Sequence, residues 1–158
     1  MLNPTRGPLA TLRLALLSLA LVACSSVPAI AEVSGPLVTV TTRGGECLEG
    51  PCGGTTVIER DGTVRQTAPT AIDLGKVPAD LLTAMDAAIK TADFKAIRSV
   101  AFDAECPVNV DGQEFIYEFG APGGVERVAS CETSIDPTHP VFAAVDAALV
   151  AVDVIPAP

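Results

Sequence analysis

Polar and apolar positions alternate along three stretches of the chain and recur at helical spacing along two others. Residues 37–42 (LVTVTT) are dense in β-branched side chains and read as a strand. Thr55–Arg60 and Thr63–Thr67 are two more β-rich runs, separated by Asp61-Gly62. That pair tolerates the positive φ of a tight type I′ turn, so the two runs are predicted to form a hairpin. Gly44 to Gly54 reads as a loop, and Ala68 to Lys76 as a connection. Pro78 then opens a helix whose Leu81, Leu82, Met85, Ala88, Ile89 and Ala92 fall on one stripe. Asp93 to Glu105 has no clear period. Gln113–Phe119 alternates strictly, placing Phe115, Tyr117 and Phe119 on one face. Ala121-Pro-Gly-Gly turns the chain, and Val125–Ser130 returns. After Asp136-Pro-Thr-His-Pro, a second helical stripe runs through Val141, Phe142, Val145, Ala148, Leu149 and Val152.

The order strands, helix, strands, helix predicts an α+β fold. It is an antiparallel sheet built from two hairpin units, each followed by an α-helix packed on one face.

The N-terminus has a different character. Arg6 and Arg13 precede an apolar run, Leu14–Ala23, broken only by Ser18, with no acidic residue before Cys24. Ten helical residues span about 15 Å, half of a ~30 Å hydrocarbon layer, so the run suits an export signal better than a membrane span. Its end, Leu21-Val22-Ala23-Cys24, has the form of a lipobox. On this reading residues 1–23 are a bacterial lipoprotein signal peptide, and Cys24 becomes the first mature residue. It would carry a diacylglyceryl thioether and an N-acyl chain such as palmitate. Two or three acyl chains meet the two-signal requirement for stable anchoring. Residues 24–36, small and proline-containing, read as the lipidated tether, 37–152 as the single domain and 153–158 as a tail.

Export changes how the cysteines are read. Four remain after Cys24, namely Cys47, Cys52, Cys106 and Cys131. An even number in an oxidising compartment implies two disulfides. Three pairings are possible; Cys47–Cys52 with Cys106–Cys131 is preferred because each pair brackets one local turn or hairpin. Charge narrows the partners. The signal takes two of the ten basic residues and none of the nineteen acidic ones, leaving a net charge of −11. Such a surface repels phosphate backbones, so nucleic acid is excluded as a partner.

Gly50-Pro51-Cys52, Asp61-Gly-Thr-Val and a helix ending in Ala92-Asp93-Phe94 together carry a resemblance. Over roughly residues 37–152 the chain resembles a domain of unknown function common in small bacterial lipoproteins. In that family a Gly-x-Cys turn leads into an Asp-Gly-Thr-Val hairpin, a helix, then a second hairpin and helix. The chain departs from it at Gly53, where the family usually has proline, and near Thr55, where it often has an aromatic. The resemblance implies the fold and supplies no activity.

Sites of chemistry are sparse. Asn109, Asp111, Gly112 and Glu118 match four EF-hand positions, but Pro107 stands where the first calcium ligand belongs, so Asp111-Gly112 reads as a turn. The four cysteines have poor zinc spacing, and the Cys47–Cys52 spacing is not the C-x₂-C of redox exchange. His139 is the single histidine, and its place at a helix start suits capping or solvent. Glu114 and Glu118 share a strand face, as chance allows among nineteen acids. The expectation is therefore no catalytic residues, no metal and no cofactor. The protein is expected to act as a non-enzymatic interaction or structural module. It would be held to the membrane through Cys24, facing the periplasm or exterior, with a partner protein in the cell envelope. The alternative is a protease inhibitor presenting the disulfide-pinned loop that begins at Cys106-Pro107-Val108-Asn109. An enzyme using His139 is the third reading.

Overall fold

The computed structural model describes residues 34–45, 47 and 52–154; Cys24 and its signal lie outside them. The described residues belong to one compact unit. Six strands form a single antiparallel sheet in the order β4-β3-β2-β1-β5-β6. β1 (Val38–Arg43), β2 (Gly53–Ile58), β3 (Thr63–Ala68) and β4 (Ile72–Lys76) run as a meander. Helices α1 (Ala79–Thr91) and α2 (Phe94–Arg98) follow. The chain then returns so that β5 (Glu114–Ala121) pairs with the free edge of β1, and β6 (Gly124–Ala129) completes the sheet. α3 (Pro140–Ala151) packs beside α1.

Alternation decides which face is buried. Val38, Val40, Ile58, Val64, Tyr117, Phe119 and Val128 point toward the helices and form the core with Met85, Ile89, Val141, Phe142, Val145 and Leu149. The scarce aromatics concentrate there. Phe119 lies 5.1 Å from Phe94 and stacks on Tyr117 at 5.9 Å, and Tyr117 meets Phe142 edge-on at 5.1 Å. The opposite face carries the half-buried Thr39, Thr41, Thr55, Val57 and Ile116, with Thr41 and Thr55 joined by their hydroxyls at 3.2 Å.

Both disulfides form in the preferred pairing, Cys47–Cys52 and Cys106–Cys131, with Cα separations of 5.4 and 5.0 Å. The antiparallel sheet, the helices against it and both helical stripes are as the pattern predicts.

Three local readings need correction. The Asp61-Gly62 turn is not type I′, because only Gly62 takes a positive φ, at 87°. Gly62 N–H donates to Glu59 O and Glu59 N–H to Thr63 O, which makes a three-residue loop with a bulge at the glycine. Asp61 instead accepts from Thr63 N–H and Oγ1, which hold its carboxyl below the usual range.

Gly53 and Gly54 belong to β2, not to a loop. Gly53 has φ 99° opposite Arg43, and a Cβ there would lie 2.1 Å from Thr42 O. Proline, fixed near φ −65°, cannot occupy that conformation.

The presumed connection 68–76 contains the edge strand β4. An extra residue, Leu74, sits between the pairs Val64↔Gly75 and Arg65↔Asp73, and Gly75 at φ 98° accommodates it. This short, charged, bulged strand ends the sheet against further pairing.

Candidate functional site

α2, unreadable from periodicity, forms one wall of a cleft. Asp93 caps it by accepting from Ala96 N–H at 2.9 Å, so the chain turns at once from α1 into a second short helix. The segment after α2 is tied to the one before α3 by Ser134 N–H to Val100 O at 2.8 Å and by an antiparallel bridge between Ala101 and Thr133. Between them a cleft of about 290 Å³ opens, lined by Asp93, Ile97, Val100, Ser134, Asp136 and His139 over Phe142. Phe142 is buried, Ile97 half-buried and Val100 55% exposed, so the floor is apolar and part of it faces solvent.

The rim is acidic. Asp136 accepts from Thr138 Oγ1 at 2.7 Å and Thr138 N–H at 2.8 Å, and these bonds hold its carboxyl below the usual range. Both Asp93 and Asp136 use Oδ1 for these local bonds, and Oδ2 of each has no hydrogen bond among the described residues. No lysine or arginine lines the cleft.

His139 is the cap of α3. Its Nδ1 accepts from Val141 N–H at 3.3 Å, and its ring meets Phe142 edge-on at 6.0 Å. Accepting at Nδ1 fixes the tautomer with the proton on Nε2, so the imidazole offers the cleft a donor and no free lone pair. That is the capping role its position in the sequence suggests.

The second cluster surrounds the long disulfide. The sulfurs of Cys106 and Cys131 and a carboxylate oxygen of Glu114 lie within 4.8 Å of one another. Both sulfurs are bonded to each other, so neither is a thiolate ligand. Glu114 is 1% exposed and makes an ion pair with Arg43, its cross-strand neighbour on β1. Burial of this glutamate is invisible in the alternation that pairs it with the exposed Glu118.

After Cys106 the chain forms a 3₁₀ turn, Pro107–Val110, closed by Asp111 at φ 67° with Gly112 N–H donating to Pro107 O. The Asp111-Gly112 turn is thus as predicted. Pro107, Val108 and Asn109 are not in the extended conformation of a substrate-like loop, and Val110 at the end of the turn is 64% exposed. The Cys47–Cys52 loop is described only at its two cysteines.

Comparison with protein-family models, with curated proteins and with solved structures finds no match to this chain.

Proposed function

We propose that the protein is a bacterial envelope lipoprotein, anchored through acyl chains on Cys24, whose disulfide-stapled domain recognises a partner protein and catalyses no reaction. The observation that carries the non-catalytic part is the commitment of His139. The chain has one histidine, it lines the cleft between α2 and α3, and its Nδ1 lone pair is spent on Val141 N–H. What remains in the cleft is an apolar floor, two carboxylates and a hydroxyl, a set suited to binding. The anchoring part rests on Leu21-Val22-Ala23-Cys24 at the end of a short apolar run. Among the described residues no helix is long and apolar enough to cross a membrane.

Fractionation of cells expressing the full chain or Cys24→Ser, with intact mass of each product, tests the anchor. The wild type should sediment with membranes, with a mass of residues 24–158 plus acyl chains, and Cys24→Ser should be soluble. An unacylated wild-type product would overturn the anchored reading. Recognition is tested by a photo-cross-linking residue at Val100 or at Thr67 in living cells. A discrete adduct from position 100, and none from 67, is expected; no adduct from position 100 under any growth condition would overturn it.

A further inference from the structure

We infer that the cleft between α2 and the start of α3 holds a single arginine side chain presented by the partner protein. The inference rests on the recognition reading above and names what that surface selects. Three observations lead to it.

The first is size. At about 290 Å³ the cleft lies just below the roughly 300–1,000 Å³ range of ligand pockets, a size that suits one long side chain.

The second is the split between floor and rim. Ile97, Val100 and Phe142 give the methylene stem of a long side chain an apolar bed, and Val100 remains 55% exposed until something covers it. Long basic side chains are built this way, an apolar stem ending in a charge.

The third is charge. Asp93 and Asp136 each present an unbonded Oδ2 at the rim, with no basic residue lining the cleft to neutralise them. The N-terminus of α3 contributes about half a positive charge nearby, which two full negative charges outweigh. His139 is committed to capping α3 through Val141 N–H. Arginine fits better than lysine because its planar, weakly hydrated guanidinium donates along several directions at once and can serve two carboxylates. Lys95 and Arg98 of α2 do not compete. Neither lines the cleft, and Arg98 is paired with Glu126 at 2.6 Å.

The probe is the peptide acetyl-Gly-Arg-Gly-amide, titrated into the full chain in detergent micelles with methyl groups of Ile and Val isotopically labelled. The Ile97 and Val100 methyl signals should shift and saturate. The citrulline version, equal in shape and uncharged, should bind about tenfold more weakly, the difference expected of two part-exposed ion pairs. Asp93→Asn and Asp136→Asn retain the oxygen that accepts from Ala96 or Thr138, so the fold persists. Each should weaken the arginine peptide about threefold while leaving the citrulline peptide unchanged. Equal binding of the two peptides would overturn the arginine assignment. So would the absence of any methyl shift, even where position 100 still cross-links a partner in cells. Loss of that cross-link is the separate result that would overturn the recognition reading.

Discussion

Tyr117 is the only tyrosine in a chain without tryptophan, so its titration can be followed directly by absorbance. It is 8% exposed, stacked on Phe119 and edge-on to Phe142. Burial pushes its phenol up to about 12, with the charge of Asp146 adding to the effect. Burial also raises the carboxyl of Asp146. The sign follows from which form the fold prefers. The folded state holds the proton where the unfolded chain, near its ordinary value of 10, has released it. Stability is therefore unaffected by this group below about pH 9, falls as pH rises from 10 toward 12, and levels off beyond. A shift of about 2 units corresponds to an order of 2–3 kcal/mol. The phenolate absorbance should rise with a midpoint near 12 in native protein and near 10 in denaturant. Tyr117→Phe should flatten the alkaline loss of stability. A native midpoint near 10 would show that the ring is not buried against α3.

At the scale of elements, the two disulfides are unequal staples. Cys106–Cys131 joins residues 25 apart and ties the 3₁₀ turn to the end of β6, whereas Cys47–Cys52 joins residues only 5 apart. On the chain-entropy account they contribute about 3.5 and about 2 kcal/mol. Paired Cys→Ser replacement of the first should lower unfolding free energy by at least about 1 kcal/mol more than replacement of the second, read by urea denaturation. Equal losses would mean that strain or residual structure dominates over loop closure. The elements themselves were unequally legible. α1 and α3 are long enough for their apolar stripes to speak, and β5 alternates because helices cover one face of it. β4 escaped because its exposed Ile72, the bulge at Leu74 and the left-handed Gly75 break the period that marks a strand. α2 has five residues, too few to show a stripe, and its only sign was Asp93 as a cap. Missing α2 meant missing the cleft, since Ile97 and Val100 acquire a shared surface only once the chain turns there. The cysteine pairing, by contrast, follows from spacing along the chain, which needs no tertiary contact to be recognised. The burial of Glu114 beside Cys106–Cys131 needed the fold, because it depends on chain brought back from the other end of the sheet.

At the scale of the whole molecule, the proposed membrane anchor would hold a domain whose net charge anionic membranes repel. The predicted mature chain carries −11, and cytoplasmic or envelope leaflets rich in anionic lipid hold a negative potential of their own. A protein that bound such a surface by electrostatics would need a basic patch, worth about 1 kcal/mol per Lys or Arg near the bilayer. Here five of the eight arginines and lysines after Cys24 are already engaged with carboxylates, through Arg43–Glu114, Arg65–Glu59, Lys90–Asp86, Arg98–Glu126 and Arg127–Glu132. On the anchored reading proposed above, attachment would then rest on the acyl chains and not on the charge of the domain. Unlipidated Cys24→Ser protein should not sediment with phosphatidylglycerol vesicles or with phosphatidylcholine vesicles. Lowering salt from about 150 mM to about 20 mM should not change this, because a longer Debye length extends repulsion here rather than attraction. Binding to the anionic vesicles that strengthens at low salt would reveal a basic face and contradict the argument. Without it, the same repulsion would, on the anchored reading, turn the acidic domain away from the bilayer and leave the proposed arginine cleft at α2 accessible.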